Sequence, residues 1–292
     1  MTLSRRQVSE LLTRHGLRPS RALGQNFVAD PNTVRRIARL AEVGAGDRVI
    51  EIGPGLGSLT LALAEAGADV VAVEADRYLV PALQEVVVEA GFSDSVRVVH
   101  GDAMRLDWQT TLAGSDRWVL VANLPYNIAT PLVADILDSV PQVARMLVMT
   151  QAEVGERLAA GVGDPAYGAV SVKVAYWATA SVVGRVPASV FVPRPNVESV
   201  LVAIRRRPAP AVDREVVEPS SLFELVRAGF AQRRKMLRRV LSGLVSPEAF
   251  AAAEVAPSSR AEELSVEDWG RLAAAVAAER NSADGVSDGS DG

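Results

Sequence analysis

The first half of the chain alternates between short, almost wholly apolar runs and longer stretches whose apolar residues recur at helical spacing. The runs predict strands over 48–52, 69–74, 96–100, 118–122 and 146–150, and the other stretches predict helices over 5–15, 31–43, 58–66, 78–90 and 131–138. Asp30 followed by Pro31 is typical of a helix start, with an N-cap acid and proline at the first helical position. Short apolar strands alternating with helices predict an α/β fold whose mostly parallel, doubly wound sheet is covered on both faces.

The pattern changes beyond residue 150. We predict a helix over 151–160, strands over 170–184 and 199–205, and a Pro- and Ala-rich linker at 208–212. From Leu222 onward the apolar spacing is helical throughout, which predicts a smaller, all-helical C-terminal domain. The predicted divisions are a basic N-terminal segment over 1–30, an α/β domain over 31–208, a helical domain over 213–280 and a disordered acidic tail over 281–292.

The amino-acid composition excludes several classes of reaction and binding site. The chain of 292 residues has no cysteine and two histidines, His15 and His100, which lie far apart in sequence. Disulfide scaffolds and cysteine nucleophiles are therefore excluded, and we expect no metal site. The longest apolar stretch, over 118–134, is interrupted by prolines and asparagines, and the N-terminus lacks the apolar core of a secretory signal. We therefore expect a cytoplasmic protein with no membrane partner.

The net charge of −4 hides an alternation along the chain. Segments 1–48 and 151–244 carry net charges of +5 and +6, whereas 49–150 and 245–292 carry −8 and −7. Basic patches attract a nucleic-acid backbone whatever the overall charge. The basic run in the helical domain has no interleaved acid and indicates an RNA-binding surface, although a merely solvated face is the alternative. Its members are Arg233, Arg234, Lys235, Arg238 and Arg239.

A glycine loop, EIGPGLG at 51–57, follows the first long strand and opens a helix. Position 58 is serine, so the dinucleotide pattern G-x-G-x-x-G is not met and an NAD-dependent oxidoreductase is disfavoured. Glycines at 53, 55 and 57 suit a nucleoside ligand without a pyrophosphate, of which S-adenosylmethionine is one. The alternative is a tight strand-to-helix turn without a ligand.

Two acids follow the next two strands. Glu74 ends the second long strand at the spacing where a carboxylate binds ribose hydroxyls in doubly wound folds, and Asp102 follows the third, where it would contact an adenine amino group. These features and the glycine loop belong to one crevice at the carboxyl ends of the strands. For Glu74 alone, a helix N-cap remains the alternative.

The NLPY motif at 123–126 follows the fourth long strand at the lip of the same crevice. The Asn123 side-chain oxygen and a backbone carbonyl held outward by Pro125 offer two acceptors for the N–H groups of an adenine amine. Tyr126 would stack on the base, so that the motif orients an amine for in-line methyl transfer. The alternative is an asparagine turn with Tyr126 packed in the core.

Several motifs together resemble the ribosomal RNA adenine N6,N6-dimethyltransferases, in particular the members that act on the small subunit. They are LGQNF at 23–27, EIGPGLG at 51–57, GDAM at 101–104, NLPYNIATPL at 123–132, FVPRPNVES at 191–199, FAQRRKML at 230–237 and RAEEL at 260–264. The resemblance covers roughly 20–275. It implies a Rossmann-like class I methyltransferase domain that uses S-adenosylmethionine, and dimethylation of two adjacent adenosines near the 3′ end of 16S rRNA in a pre-30S particle, by a monomer.

The resemblance also implies roles for single residues. The cofactor would contact the N-terminal covering segment, the glycine loop and the strand ends, through Asn26, Val28, Gly53, Gly55, Glu74, Asp102 and Asn123. The target adenine would lie against Asn123, Leu124 and Pro125, sandwiched between Tyr126 and Phe191. From the residues alone, a phenylalanine before Pro-x-Pro is as readily a loop anchor in the core. The sequence departs from the commoner family pattern at Val28 and at Arg194-Pro-Asn196.

Two other functions are compatible with the sequence. One is an adenine N6-methyltransferase of 23S rRNA, of the macrolide-resistance type, which shares the motifs of the first domain. The other is a non-catalytic RNA-binding assembly factor. LGQNF and the RAEEL-type C-terminus favour the small-subunit enzyme over the first, and intact Asn123, Tyr126 and Phe191 argue against the second.

Overall fold

The computed structural model describes residues 2–20, 23–125 and 127–287. Its strands confirm the ones predicted over 48–52, 69–74, 96–100, 118–122, 146–150 and 199–205, and they add the short pair β1 and β8. The strands are β1 (Phe27–Val28), β2 (Arg48–Ile52), β3 (Asp69–Glu74), β4 (Val96–His100), β5 (Trp118–Asn123), β6 (Val143–Gln151), β7 (Ala178–Val186), β8 (Phe191–Val192) and β9 (Ser199–Arg206).

The main sheet has the strand order β4-β3-β2-β5-β6-β9-β7. The pairs from β4 to β6 are all parallel, and β9 joins β6 in antiparallel register. The predicted α/β class with a mostly parallel sheet is thus confirmed. Strand β2 has β3 on one side and β5 on the other, so the connections leave it in opposite directions. Ligands of open α/β sheets bind outside the carboxyl ends of the strands at such a switch point.

The helices separate the strands as the periodicity predicts. They are α1 (Arg5–Arg14), α2 (Pro31–Leu40), α3 (Ser58–Glu65), α4 (Val80–Glu89), α5 (Trp108–Thr111), α6 (Ala129–Ser139), α7 (Ala152–Ala159), α8 (Ala169–Trp177), α9 (Pro219–Ala231), α10 (Leu237–Val240), α11 (Pro247–Ala252) and α12 (Val266–Ser287). The predicted start of α2 is confirmed, because the Asp30 side chain accepts a hydrogen bond from Thr33 N with Pro31 at the first position. Such a cap stabilises a helix by about 1 kcal/mol.

The run over 170–184 is not a single strand as expected. It forms α8 up to Trp177 and then β7. Val172 and Tyr176, one helical turn apart, are both buried among the apolar side chains of the C-terminal helices, and Tyr176 meets Phe223 edge to face at 5.2 Å. Packing of this face outweighs the preference of valine-rich sequence for strands, because β propensity is weak and depends on context.

The chain divides into two compact units. The sheet unit comprises Met1–Leu158 and Ala180–Arg206, and the helical unit comprises Ala159–Thr179 and Arg207–Gly292. The sequence placed 159–179 in the α/β domain over 31–208 and set 1–30 apart. Instead, α8 contributes its apolar face to the core of the helical unit, and 1–30 belongs to the sheet unit, where Leu3, Val8 and Leu11 are buried.

The last helix enters the segment predicted to be disordered. Helix α12 continues to Ser287, so 281–287 is helical, and the rest of the predicted tail lies outside the described residues. Within the described part of the chain, no helix is both long and apolar enough to cross a bilayer.

Candidate active site

The glycine loop adopts a conformation that favours glycine. Gly53, Gly55 and Gly57 have φ angles of +69°, +60° and +90°, in the left-handed region where a Cβ is strained. A Cβ on Gly55 would lie 2.8 Å from the ring of Phe27 in β1. The loop therefore packs closely against the N-terminal segment, and Gly57 occupies the N-cap position of α3.

A cavity of about 290 Å³ lies at the carboxyl ends of β2, β3 and β5. Its walls come from the N-terminal segment, the glycine loop, the end of β3, the Gly101–Ala103 turn, and Asn123 and Pro125 of the NLPY motif. All of the predicted cofactor residues line it: Asn26, Val28, Gly53, Gly55, Glu74, Asp102 and Asn123. The tertiary structure thus brings together residues that are up to 97 positions apart in sequence.

Glu74 faces the glycine loop and does not cap a helix. Its Oε2 accepts a hydrogen bond from Gly55 N at 3.0 Å, and its Oε1 accepts one from Asp76 N at 2.8 Å. Burial raises the pKa of this carboxyl, and the two backbone hydrogen bonds oppose that rise. A carboxylate has about four acceptor positions, so two remain for ligand hydroxyls. Asp102 accepts from Met104 N at 2.9 Å through Oδ1 and likewise keeps acceptor capacity.

Asn123 has a defined orientation. Its Nδ2 donates to the main-chain carbonyl of Asn26 at 3.0 Å. A carbonyl only accepts, so this contact fixes which end of the amide is the NH₂ group and turns Oδ1 away from Asn26. The carbonyl of Pro125 accepts from Ile128 N and Ala129 N, and it is therefore engaged in the start of α6.

Glu51 is a buried acid that the sequence reasoning did not single out. It lines the cavity, is 1% exposed, and its Oε2 has no hydrogen-bond partner among the described residues. Burial, opposed by the Thr60 hydroxyl and aided by the nearby charge of Glu74, raises the pKa of Glu51 to about 8. An acid inside the glycine motif was the available signal, but sequence does not show that the side chain is turned inward.

Of the two predicted base-stacking residues, Phe191 and Tyr126, the structure describes Phe191. The Phe191 ring is 1% exposed and packs in the core of the sheet unit with Val28, Val34 and Ile37. Because the ring is enclosed in this conformation, it offers no face to a base. This placement favours the alternative interpretation, in which Phe191 anchors a loop in the core. Its main chain pairs with β1, with Val28 opposite Phe191. Tyr126 lies outside the described residues.

The predicted RNA-binding cations lie around a turn between two helices. Helix α9 ends at Ala231 and α10 begins at Leu237, so the run is not the continuous helical stretch that the sequence indicated. Arg233 is tied into the helical unit, where its Nε contacts Glu262 Oε2 at 2.5 Å and its Nη2 donates to the Pro165 carbonyl at 2.7 Å. The other four side chains, Arg234, Lys235, Arg238 and Arg239, are exposed.

Comparison with known proteins decides the family. The family model described as ribosomal RNA adenine dimethylase matches residues 17–278. The chain belongs to the ribosomal RNA adenine dimethylase family. The resemblance predicted from the motifs is thereby confirmed, and within this enzyme family neither an oxidoreductase nor a non-catalytic factor is favoured. The match begins at residue 17, so α1 lies before it.

Two curated relatives share one name. The protein named ribosomal RNA small subunit methyltransferase A of Cutibacterium acnes is 48% identical over 271 residues, which cover 90% of each chain. The protein of the same name from Streptomyces coelicolor is 46% identical over 273 residues, covering 91% of this chain and 94% of the relative.

Solved structures share the dimethylase fold at lower identity. A dimethyladenosine transferase from Plasmodium falciparum aligns with a TM-score of 0.68 and 23% identity, over 83% of this chain and 94% of that one. The 23S rRNA methyltransferase ErmE aligns with the same TM-score and 24% identity, over 86% and 100%. At these identities the likeness shows the fold alone.

Groups of three or more potential metal ligands are absent from the part of the chain that the structure describes.

Proposed function

We propose that this protein transfers methyl groups from S-adenosylmethionine to N6 of two adjacent adenosines near the 3′ end of 16S rRNA. Each adenosine would be methylated twice, in a pre-30S particle in the cytoplasm, by the enzyme as a monomer. The observation that carries the proposal is the oriented Asn123 amide at the lip of the cavity. Relatives of 43–48% identity named as small subunit methyltransferase A favour 16S over 23S rRNA as the substrate.

The cavity residues fit the methyl donor. Glu74 keeps two acceptor positions for the ribose hydroxyls, and Asp102 keeps an acceptor for the adenine amino group. Asn26 and Val28 would cover the donor from the N-terminal side, and the close approach of Gly53 and Gly55 leaves backbone exposed to it. When bound, S-adenosylmethionine supplies a methyl group on a positively charged sulfonium.

Asn123 and Leu124 would act on the target amine. The lone pair of an exocyclic adenine amine is delocalised into the ring, which makes the nitrogen a poor nucleophile. Asn123 Oδ1 and the Leu124 carbonyl, preceding rigid Pro125, each accept one of its N–H groups. Two such acceptors favour a pyramidal nitrogen with its lone pair directed at the methyl group, so that the residues act by orientation in a site shielded from water.

The target base must leave its stack to reach this lip. Extruding a base costs a few kcal/mol, and stacking on an aromatic side chain offsets part of that cost. We assign the stacking face to Tyr126, as the motif implies. Phe191 takes part through its main chain, since its ring is needed in the core. Arg234, Lys235, Arg238 and Arg239 would hold the RNA backbone, whereas Arg233 chiefly secures the turn that carries them.

The deciding experiment maps adenosine dimethylation by primer extension after incubation with S-adenosylmethionine. One arm uses small-subunit particles that lack the modification, and the other uses naked 23S rRNA. We expect two adjacent stops near the 3′ end of 16S rRNA and none in 23S rRNA. Stops confined to 23S rRNA would favour the large-subunit activity, and no stops in either RNA would refute the proposal.

Asn123→Ala removes the oriented acceptor and should lower kcat at least about a hundredfold while S-adenosylmethionine binding stays measurable by calorimetry. Asn123→Asp keeps an oxygen acceptor for the target amine, although it loses the hydrogen bond donated to the Asn26 carbonyl. It should therefore retain more activity than the alanine variant. Equal turnover of wild type and Asn123→Ala would rule out this role.

A further inference from the structure

The first turn of α1 carries two arginines, Arg5 and Arg6, and no acid. Cations at a helix N-terminus are mildly unfavourable because the helix dipole is positive there. Arg6 is 84% exposed and contacts Glu10 at 3.7 Å, one turn along the same helix. Arg5 differs, because its partners lie 184 and 186 positions further along the chain.

Arg5 binds the main chain beside Phe191. Its Nη2 donates to the Ser189 carbonyl at 2.6 Å and approaches the Phe191 carbonyl at 3.4 Å. A charged donor makes a stronger hydrogen bond to a carbonyl than a neutral one does. The guanidinium therefore spans the stretch where the chain enters β8.

Helix α1 is itself fixed to the sheet unit. Leu3, Val8 and Leu11 are buried in a cluster that includes Phe27 and Leu56. At its other end, Arg14 contacts Glu85 of α4, and His15 Nε2 lies 2.9 Å from the same carboxylate. These contacts hold the helix in place, and Arg5 therefore connects a fixed element to β8.

The segment that Arg5 supports leads directly to the proposed catalytic amide. Strand β8 pairs with β1, and Ala29 N donates to the Val190 carbonyl at 2.8 Å. Asn26 immediately precedes β1, and its carbonyl accepts the Asn123 amide at 3.0 Å. We call β1, β8 and these adjoining residues the β1/β8 ribbon. A shift of this ribbon moves the carbonyl that orients Asn123.

We propose that Arg5 is a positioning residue for methyl transfer: it holds the β1/β8 ribbon in place and thereby keeps the Asn123 amide turned toward the target amine. The inference rests on the proposed function for its kinetic consequence. The mechanical link from Arg5 to the ribbon is independent of the substrate and can be tested without it.

The test compares Arg5→Ala and Arg5→Lys with Arg6→Ala, a matched control that removes the same charge from the same helix turn. Hydrogen exchange followed by mass spectrometry reports on the Ala29 amide. Arg5→Ala should speed its exchange about tenfold, Arg6→Ala should leave it unchanged, and Arg5→Lys should restore most of the protection. Melting temperatures should agree closely among the variants, because Arg5 is exposed.

Steady-state kinetics on small-subunit particles supplies the second readout. Arg5→Ala should lower kcat about five- to tenfold with a smaller change in KM for S-adenosylmethionine, because a displaced amide costs orientation more than donor binding. Exchange and kcat equal to those of Arg6→Ala would overturn the inference, and faster exchange with unchanged kcat would overturn the positioning role. If wild type itself failed to methylate 16S rRNA, the proposed function would be refuted. Unchanged exchange in Arg5→Ala would separately refute the role of Arg5 in holding the β1/β8 ribbon.

Discussion

Two buried glutamates near the glycine loop show how hydrogen bonding gives similar side chains different roles. Glu74 pairs with two backbone N–H groups and keeps acceptors toward the cavity. Glu51 is 1% exposed and leaves Oε2 without a partner among the described residues. Sequence spacing identified Glu74 because ribose-binding acids end the second strand of doubly wound folds. Spacing gave no such signal for Glu51, since only the packed structure turns that side chain inward.

The buried Glu51 makes stability depend on pH. Burial raises its pKa to about 8 from an ordinary value of 4.5, so between these values the folded protein holds a proton that the unfolded chain has released. Stability therefore falls as pH rises from about 4.5 to about 8 and is level above that. Glu51→Gln mimics the neutral acid and should remove the fall, which at roughly 1.4 kcal/mol per pKa unit is about 3.5 kcal/mol between pH 5.5 and pH 8.

Urea unfolding without ligand at pH 5.5 and pH 8.5 measures this difference. Wild type should lose stability between the two values, and Glu51→Gln should lose much less. Glu89→Gln, at an exposed position of α4, is the control and should behave as wild type. A parallel loss in wild type and Glu51→Gln would show that Glu51 is ionised in the folded protein.

At the scale of elements, the site depends on a close fit between the glycine loop and β1. The sequence predicted the strand–loop–helix unit at 48–66, because an apolar run, three glycines and a helical pattern follow one another. It did not predict that Phe27 of β1 would lie over Gly55, since that contact joins segments far apart in sequence. Strand β1 is two residues long and exists through its pairing with β8.

Gly55→Ala tests this fit. The new methyl group would lie 2.8 Å from the Phe27 ring, at a φ of +60°. We expect a loss of about 2–3 kcal/mol in stability and a weaker affinity for S-adenosylmethionine. Gly46→Ala is the matched control, because Gly46 also has positive φ (+87°) but nothing within 4 Å of the added Cβ. Equal losses in both variants would mean that backbone strain alone is responsible.

At the scale of the whole molecule, charge is segregated while the total stays near neutrality for the size of the chain. The helical unit carries four exposed cations around the turn between α9 and α10. A patch of this kind binds a phosphate backbone by releasing its counterions, which makes affinity depend steeply on salt. The net charge of −4 conceals this property.

The double variants Arg234→Ala/Lys235→Ala and Arg238→Ala/Arg239→Ala should each weaken binding to 16S rRNA. Each should also reduce the slope of log affinity against log salt by about one to two, at roughly 0.7–0.9 per phosphate contact. Filter binding from 50 to 300 mM salt measures both. Arg117→Ala/Arg157→Ala in the sheet unit removes the same charge elsewhere, and a drop in slope as large in this control would refute a localised patch.

The sequence by itself determined the order and kind of most elements, the mostly parallel sheet and the residues that line the cavity. These features follow from local periodicity and from motifs at the ends of strands, where the topology of a parallel sheet forces successive segments to one edge. Gly53, Glu74, Asp102 and Asn123 meet there for that reason. Asn26 was expected only from the family resemblance, and it joins them through the hydrogen bond between its carbonyl and Asn123.

Only the tertiary structure decided which side chains are buried and which segments pack or bond with one another. It made 169–177 a helix of the helical unit, buried Phe191 in the core, tied Arg233 to Glu262 and placed Arg5 on the chain beside Phe191. Each of these outcomes depends on packing or hydrogen bonding between segments distant in sequence. Local pattern carries no information on such contacts, because their free energy arises only when both partners are brought together.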